Sequence, residues 1–274
     1  MSTRIELRNV GQVFSVRTER DHQLSEFVAL DGLDLTIEPG ELLTIVGPSG
    51  CGKSTVLDLV SGLTRPTSGL VLADGEVVTD PGPDRSVVFQ QYTLLPWRTA
   101  LGNVELALEA VGGLSRKART ARAREVLELV GLGEFAGRYP HELSGGMKQR
   151  VAIARSLSYQ PGVLLMDEPF GALDAQTRER LQEELVQIWR ATGTTIVFIT
   201  HDIEEAIFLG QRVAVMSNRP GRIKALIDID LPTGAADEDV RSSARFADHR
   251  HQIWSLLRES PARPAAVREV HRVA

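Results

Sequence analysis

The chain has 274 residues, 42% hydrophobic and 24% charged, and its 36 acidic against 31 basic residues leave a net charge of −5. That allows one large domain with at most a small extension, and it argues against bulk nucleic-acid binding. The single cysteine, Cys51, excludes a disulfide framework and a Cys-rich zinc site. The opening MSTRIELRNV lacks a signal-peptide centre, and no apolar run reaches the roughly 20 residues that span a bilayer, so a soluble or peripheral cytoplasmic protein is expected.

Ile5 to Phe14 alternates as a strand does, and the charged segment Ser15 to Glu26 reads as a hairpin loop. Phe27 to Leu30, Leu33 to Ile37 and Leu42 to Val46 are predicted strands, separated at Asp31-Gly32 and Pro39-Gly40. This β-rich layer leads into Gly47-Pro48-Ser49-Gly50-Cys51-Gly52-Lys53-Ser54, which fits the P-loop pattern G-x-x-x-x-G-K-[ST] at every fixed position. The strand before it and the predicted helix from Ser54 supply the context the motif needs. Its glycines let backbone N–H groups turn into one hollow, and the helix N-terminus adds its positive end. Lys53 is placed to reach the β- and γ-phosphates, and the Ser54 hydroxyl to ligate Mg²⁺. The expected ligand is a nucleoside triphosphate. Cys51, with no second thiol to pair with, reads as a small loop residue.

The Pro66-Thr67-Ser68-Gly69 turn and the strand Leu70 to Ala73 follow, then Val87 to Phe89, ending at Gln90. From Asn103 to Pro140 apolar residues recur at helical spacing, through Val104, Leu108 and Val111 and then Val126, Leu127 and Val130, with solvated Arg-rich faces between. A helical subdomain over about residues 91–160 is therefore predicted inside an α/β core. Near its end Leu143-Ser144-Gly145-Gly146-Met147 opens a helix over Lys148 to Leu157. Val163 to Met166 is a buried strand ending in Asp167-Glu168. Ala175 to Ala191 is a long helix, and Thr195 to Thr200 a strand ending in His201-Asp202. A helix from Ile203 and a strand over Arg212 to Met216 complete the alternation, which predicts a parallel sheet covered on both faces. Residues 236–274 read as an extension, with Val240, Ala244, Ala247, Trp254 and Leu257 along one helix face and a loose tail from Pro261 to Ala274.

Gly47, Gln90, Asp167 and His201 all follow directly on predicted strand ends, where parallel sheets bind ligands. Phosphoryl transfer to water needs a phosphate cradle, a metal and an oriented water. Asp167 would hold Mg²⁺ through a coordinated water, and Glu168 would polarise the attacking water. His201 could contact the γ-phosphate and hold Glu168 in place, and Gln90 could touch metal and water. Alone, Asp167-Glu168-Pro169 could be a strand-ending turn, and His201-Asp202 a helix start capped by Asp202. Their joint placement beside a P-loop favours catalysis. Ser144-Gly145-Gly146 is either a plain N-cap or a second anion site. Two chains arranged head to tail would use it, each completing the other's nucleotide site under closed two-fold symmetry.

With these motifs in order, the chain resembles the ATP-binding subunits of ABC transporters from about residue 4 to residue 230. The resemblance rests on GPSGCGKST (47 to 55), Gln90, LSGGM (143 to 147), VLLMDEPF (163 to 170), GALD (171 to 174) and His201. It implies an ABC ATPase cassette over residues 1–235: a P-loop core with a parallel sheet, an N-terminal antiparallel β layer and the inserted helical subdomain. It implies ATP and Mg²⁺ as ligands, with Thr55 closing the P-loop motif and Phe14 stacked on adenine. It puts Asp174 at the seam of a homodimer and makes Ser144, Gly145 and Gly146 act in trans. Met147 stands where the family usually has Gln, which leaves the Ser-Gly-Gly turn intact.

PGPDRSVVFQ (81 to 90), LLPWRTALGNV (94 to 104), FGALDAQTR (170 to 178), THDIEEAIFLGQRV (200 to 213) and RPGRI (219 to 223) resemble importer ATPases for nitrate, taurine and alkanesulfonates. That subgroup implies a membrane permease docked near Leu94, Leu95 and Trp97, a substrate-binding protein beyond it, and no nucleic acid. Core packing is the other reading of those three residues. Two rival classes are a soluble non-transport ABC ATPase and a P-loop kinase. The first would carry tandem cassettes or coiled-coil insertions, and the second would have no need of LSGGM.

Overall fold

A computed structural model describes residues 2–17, 24–231 and 240–258. Ile5–Arg17 (β1) and Leu24–Ile37 (β2) form an antiparallel hairpin, so the strands run well into the segment expected to be loop. Asp31-Gly32 does not end a strand. The pairing register shifts between Val10↔Leu33 and Gln12↔Leu30, and Gly32 takes the left-handed φ of +61° that such a bulge needs. β1 also pairs with Ser68–Ala73 (β4), which pairs with Glu76–Val77 (β5), giving an antiparallel sheet in the order β2-β1-β4-β5.

The second sheet contains Leu42–Val46 (β3), Arg85–Val88 (β6), Val163–Asp167 (β7), Thr195–Thr200 (β8), Arg212–Met216 (β9) and Ile223–Asp228 (β10). Its order is β10-β9-β3-β8-β7-β6. β6 to β9 and β3 are parallel, as the alternation of elements requires; β10 adds an antiparallel edge not anticipated from sequence.

Successive residues of the parallel strands feed two cores. Leu43, Ile45, Leu165, Val197, Ile199 and Ala214 face the antiparallel sheet and the P-loop helix Lys53–Ser61 (α1). Leu42, Val46, Leu164, Met166, Phe198 and Val213 face the remaining helices. Each of the Leu, Ile, Val, Met and Phe side chains among them, fully buried, contributes about 1.5–3 kcal/mol of transfer free energy. The sheet is thereby clamped from both sides, which makes its strand ends a rigid platform.

Between β6 and β7 come Ala100–Val111 (α2), Arg116–Leu129 (α3) and Gly145–Leu157 (α4), packed on one another. Thr99, Ser115 and Ser144 cap them through side-chain oxygens, which explains why each helix starts where it does. Ala175–Thr192 (α5) and Ile203–Leu209 (α6) flank β8, capped by Asp174 and Asp202. The C-terminal helix is Ala244–Arg258 (α7), which packs on α6 and β9. Its buried face is Phe246 and Ile253, with Leu256 and Leu257 partly covered. Ala244, Ala247 and Trp254 point to solvent, so the face assigned from sequence was rotated. The expected loose tail, Pro261 to Ala274, lies outside the described residues. Among the described residues no helix is long and apolar enough to cross a membrane.

Candidate functional site

β3, β7 and β8 are neighbours, and all three end on the same edge of the sheet. The P-loop leaves β3 there. Gly50 and Gly52 have φ of +72° and +105°, and a Cβ on Gly52 would lie 2.7 Å from the Leu30 side chain. Only glycine satisfies both the backbone and the space at that position. Lys53 is buried, and its Nζ donates to the carbonyls of Gly47 at 2.8 Å and Pro48 at 3.1 Å. The ammonium therefore sits curled within its own loop. Cys51 is buried too, and burial pushes its thiol up, which leaves it protonated and unreactive as the small-residue reading requires.

Ser54 stands beside the Asp167 carboxylate at the end of β7. Burial pushes the Asp167 carboxyl up, against the pull of the Ser54 hydroxyl, and the charge of Glu168 raises it further. Asp58, one turn along α1, is also pushed up, first by burial and then by Asp167. Sequence reading missed Asp58, because only the packing of α1 on β7 brings it near. Excess negative charge beside a serine hydroxyl fits a hard divalent cation such as Mg²⁺. Among the described residues no three His, Cys, Asp or Glu side chains form a metal cage, so phosphate and water oxygens would have to complete the shell.

Glu168 is the first residue beyond β7 and has a left-handed φ of +43°, an uncommon conformation outside glycine. Two backbone bonds hold it there: its N–H donates to Ile199 O at 3.0 Å, and its carbonyl accepts from Gly171 N at 3.1 Å. His201, just beyond β8, places Nδ1 3.0 Å from Glu168 Oε2. Gln90, exposed beyond β6, lies beside the same turn, with Nε2 3.7 Å from where a Gly171 Cβ would be. The fold brings Gly47, Asp167 and His201 directly to strand ends on one edge of the sheet, with Gln90 two residues beyond β6 and Lys53, Ser54 and Glu168 beside them.

Phe14 lies on the antiparallel sheet opposite Phe27. Arg219 stacks over the Phe27 ring at 4.5 Å, and its Nε donates to Gly50 O. This chain of contacts joins the exposed Phe14 to the P-loop. Arg219 was not singled out from sequence, although RPGRI, which contains it, stood out as a motif.

Ser144, Gly145, Gly146 and Asp174 form a second cluster. Ser144 accepts from Met147 N at 3.3 Å, and Asp174 accepts from Thr177 N at 3.0 Å. The Thr177 backbone bond holds the Asp174 carboxyl below its usual range. A Cβ on Gly145 would meet Leu173 and Tyr92 at 3.1 Å, and one on Gly146 would meet Thr177 at 2.9 Å. The Ser-Gly-Gly turn is thus packed on the start of α5, with Ser144 exposed, Gly145 half-buried and Gly146 buried. Further along, Leu94 packs against the core while Trp97 is 71% exposed.

Comparison with known proteins places the chain in a family. The family described as ABC transporter matches residues 30–171. The chain is 46% identical over 259 residues to the uncharacterized ABC transporter ATP-binding protein MJ0412 of Methanocaldococcus jannaschii, covering 94% of this chain and 93% of that one. It is 51% identical to the nitrate import ATP-binding protein NrtD of Synechocystis sp. and 50% identical to the taurine import ATP-binding protein TauB of Rhizobium johnstonii, each match covering 84% of this chain and 88% of the relative. Among solved structures, the ATP-binding cassette MJ0796, a dimer bound to ADP and Pi, superposes with a TM-score of 0.70 at 36% identity, over 83% of this chain and 100% of that one. The chain belongs to the ABC transporter family, as one of its ATP-binding, ATP-hydrolysing subunits.

Proposed function

We propose that this chain energises an importer for small anions such as aliphatic sulfonates, taurine or nitrate, working as a head-to-tail homodimer on the cytoplasmic face of a membrane permease. The observation that carries the hydrolytic part is the Glu168–His201 pair, which stands beside Ser54–Asp167 at the ends of adjoining strands. Backbone N–H groups of Gly47 to Thr55 would receive the phosphates, with Lys53 leaving its loop carbonyls to reach them. Phe14 would cover the adenine. Ser54, Asp167 and Gln90 would hold Mg²⁺, which when bound neutralises the charge of the β- and γ-phosphates. Glu168 would take a proton from the attacking water, and His201 would fix the carboxylate and face the γ-phosphate. The exposed Ser144 turn, with Asp174 beside it, would close on the partner's nucleotide.

The dimer reading draws on the two separate helix N-termini that each chain presents and on the dimeric cassette MJ0796. The importer reading draws on the nitrate and taurine import relatives, which favour it over a soluble non-transport ATPase. A permease loop is expected near Leu94, Leu95 and the exposed Trp97, with a substrate-binding protein delivering the anion from outside. Residues 1–235 would form the cassette and residues 236–274 its extension.

The test is to tag the chain, introduce Glu168→Gln and purify it from native membranes in mild detergent. Recovery of an integral membrane partner, and ATP hydrolysis by the reconstituted wild-type complex that rises with taurine, nitrate or a sulfonate, is expected. Recovery with soluble proteins alone would sink the importer reading.

A further inference from the structure

The C-terminal segment is joined to the two residues that flank His201, Thr200 and Asp202, by a path of hydrogen bonds. Arg241, just before α7, donates from Nη2 to Gln182 Oε1 at 2.6 Å. Gln182 Nε2 donates to Glu205 Oε1 at 2.9 Å. The other Glu205 oxygen accepts from Thr200 Oγ1. Thr200 closes β8 immediately before His201, and its Oγ1 also accepts the N–H of Asp202 at 3.0 Å, immediately after His201. From this path we infer that Arg241 is a positioning residue for His201, acting through Gln182, Glu205 and Thr200. The inference rests on the reading of Glu168 and His201 as the hydrolytic pair.

Polarity runs one way along the path. An arginine can only donate, so Gln182 must turn its carbonyl to Arg241 and its amide NH₂ to Glu205. Thr200 spends its lone pair on Asp202 N–H and keeps its proton for Glu205. Glu205 accepts at both oxygens. Gln182, Thr200 and Glu205 are all buried, where an unmade bond is costly and water cannot replace it. Burial pushes the Glu205 carboxyl up, while Thr200 and Gln182 pull it back. Losing the Arg241 end frees the Gln182 amide to flip, removes that restraint on Glu205, and loosens the Thr200 bracket that sets the backbone on both sides of His201.

Arg241 is itself firmly held. Its Nη1 lies 3.0 Å from Glu179 Oε1, and its guanidinium stacks on the Phe208 ring at 4.4 Å. Arg250 of α7 adds a second grip at Glu204, 2.9 Å away in the first turn of α6. The segment after the cassette thus holds both ends of the short helix that follows His201.

The experiment compares the full chain with Arg241→Met, which keeps the stem over Phe208, and with Arg241→Lys and Gln182→Met. Three quantities are read: turnover at saturating Mg-ATP, ATP affinity, and the His201 imidazole NMR signal, identified by its loss in His201→Ala. Expected for both Met variants is a fall in kcat of about 3- to 30-fold with ATP affinity within about twofold and the His201 signal displaced. Arg241→Lys should recover much of the rate, because it can still donate to Gln182. An unmoved His201 signal, or a rate loss matched by lost ATP affinity, would overturn the relay. If the signal moves but His201→Ala hydrolyses ATP normally, the relay stands and the catalytic reading of His201 falls. If His201→Ala is impaired while Arg241→Met and Gln182→Met behave as wild type, the relay alone falls.

Discussion

The carboxylate of Glu168 and the imidazole of His201 face each other at 3.0 Å from the ends of two paired strands, β7 and β8. The distance is set by the sheet, because β7 pairs with β8 up to Asp167↔Ile199 and Glu168 N–H reaches on to Ile199 O. Replacing the acid by its amide keeps the shape and removes the proposed base. Glu168→Gln should lower kcat by at least about 100-fold while ATP still binds. Sedimentation in Mg-ATP should show a trapped dimer, and a monomer at high protein and ATP concentration would count against the composite site.

Glu168 also carries backbone strain. A non-glycine residue in the left-handed region costs about 1 kcal/mol or more, so Glu168→Gly should raise the melting temperature by roughly 2–4 °C even as hydrolysis disappears. A calorimetric scan of the ligand-free chain decides this.

Lys53 donates to two carbonyls of its own loop. Lys53→Ala removes a charged donor from the nucleotide and leaves those carbonyls without it. ATP affinity should fall about 10- to 100-fold, in line with a charge-assisted bond of roughly 1.5–3 kcal/mol. Titration with a fluorescent ATP analogue measures it, and an unchanged Kd would refute the P-loop assignment.

Asp167 has a folded-state pKa above its unfolded one, so the folded state binds its proton more tightly. Its contribution to stability is full below about pH 4 and is lost as pH rises through the raised folded value. Asp167→Asn should therefore melt higher than wild type at pH 7.5, and the gap should close as pH falls through the raised folded value. If Asp167 holds Mg²⁺ as proposed, adding Mg²⁺ and nucleotide should reverse the order, because only wild type keeps the carboxylate.

Gly221 sits where the two sheets meet. Its N–H donates to Ala29 O at 2.8 Å, and a Cβ there would lie 2.1 Å from the carbonyl of Cys51. Gly221→Ala must push the P-loop aside, so it should destabilise the chain by about 1–3 kcal/mol and weaken ATP binding together. Denaturant titration alongside the nucleotide titration tests both.

How legible each part was depended on the physical signal. β3, β7, β8 and β9 are continuous apolar runs because both faces are buried, and that pattern is hard to mistake. β10 is an edge strand, Ile-Lys-Ala-Leu-Ile-Asp, mostly half-covered, so its mixed character hid it. Asp31-Gly32 has the composition of a turn and the structure of a bulge, a difference set by pairing with β1. In α7 the buried pair Phe246 and Ile253 is seven residues apart, and a register through Ala244, Ala247 and Trp254 fits the spacing almost as well. At the site, motif residues at strand ends were visible, whereas Asp58, Arg219, Gln182 and Glu205 become partners only through tertiary packing.

The burial of Cys51 gives the chain a practical property. Its only thiol is shut inside the P-loop and held protonated, so thiol-directed reagents should find no native target on the folded surface. A cysteine introduced at an exposed position, Trp97→Cys for example, would then be the sole reactive point. A cross-link or fluorophore attached there would report contact with a membrane partner without background from the rest of the molecule.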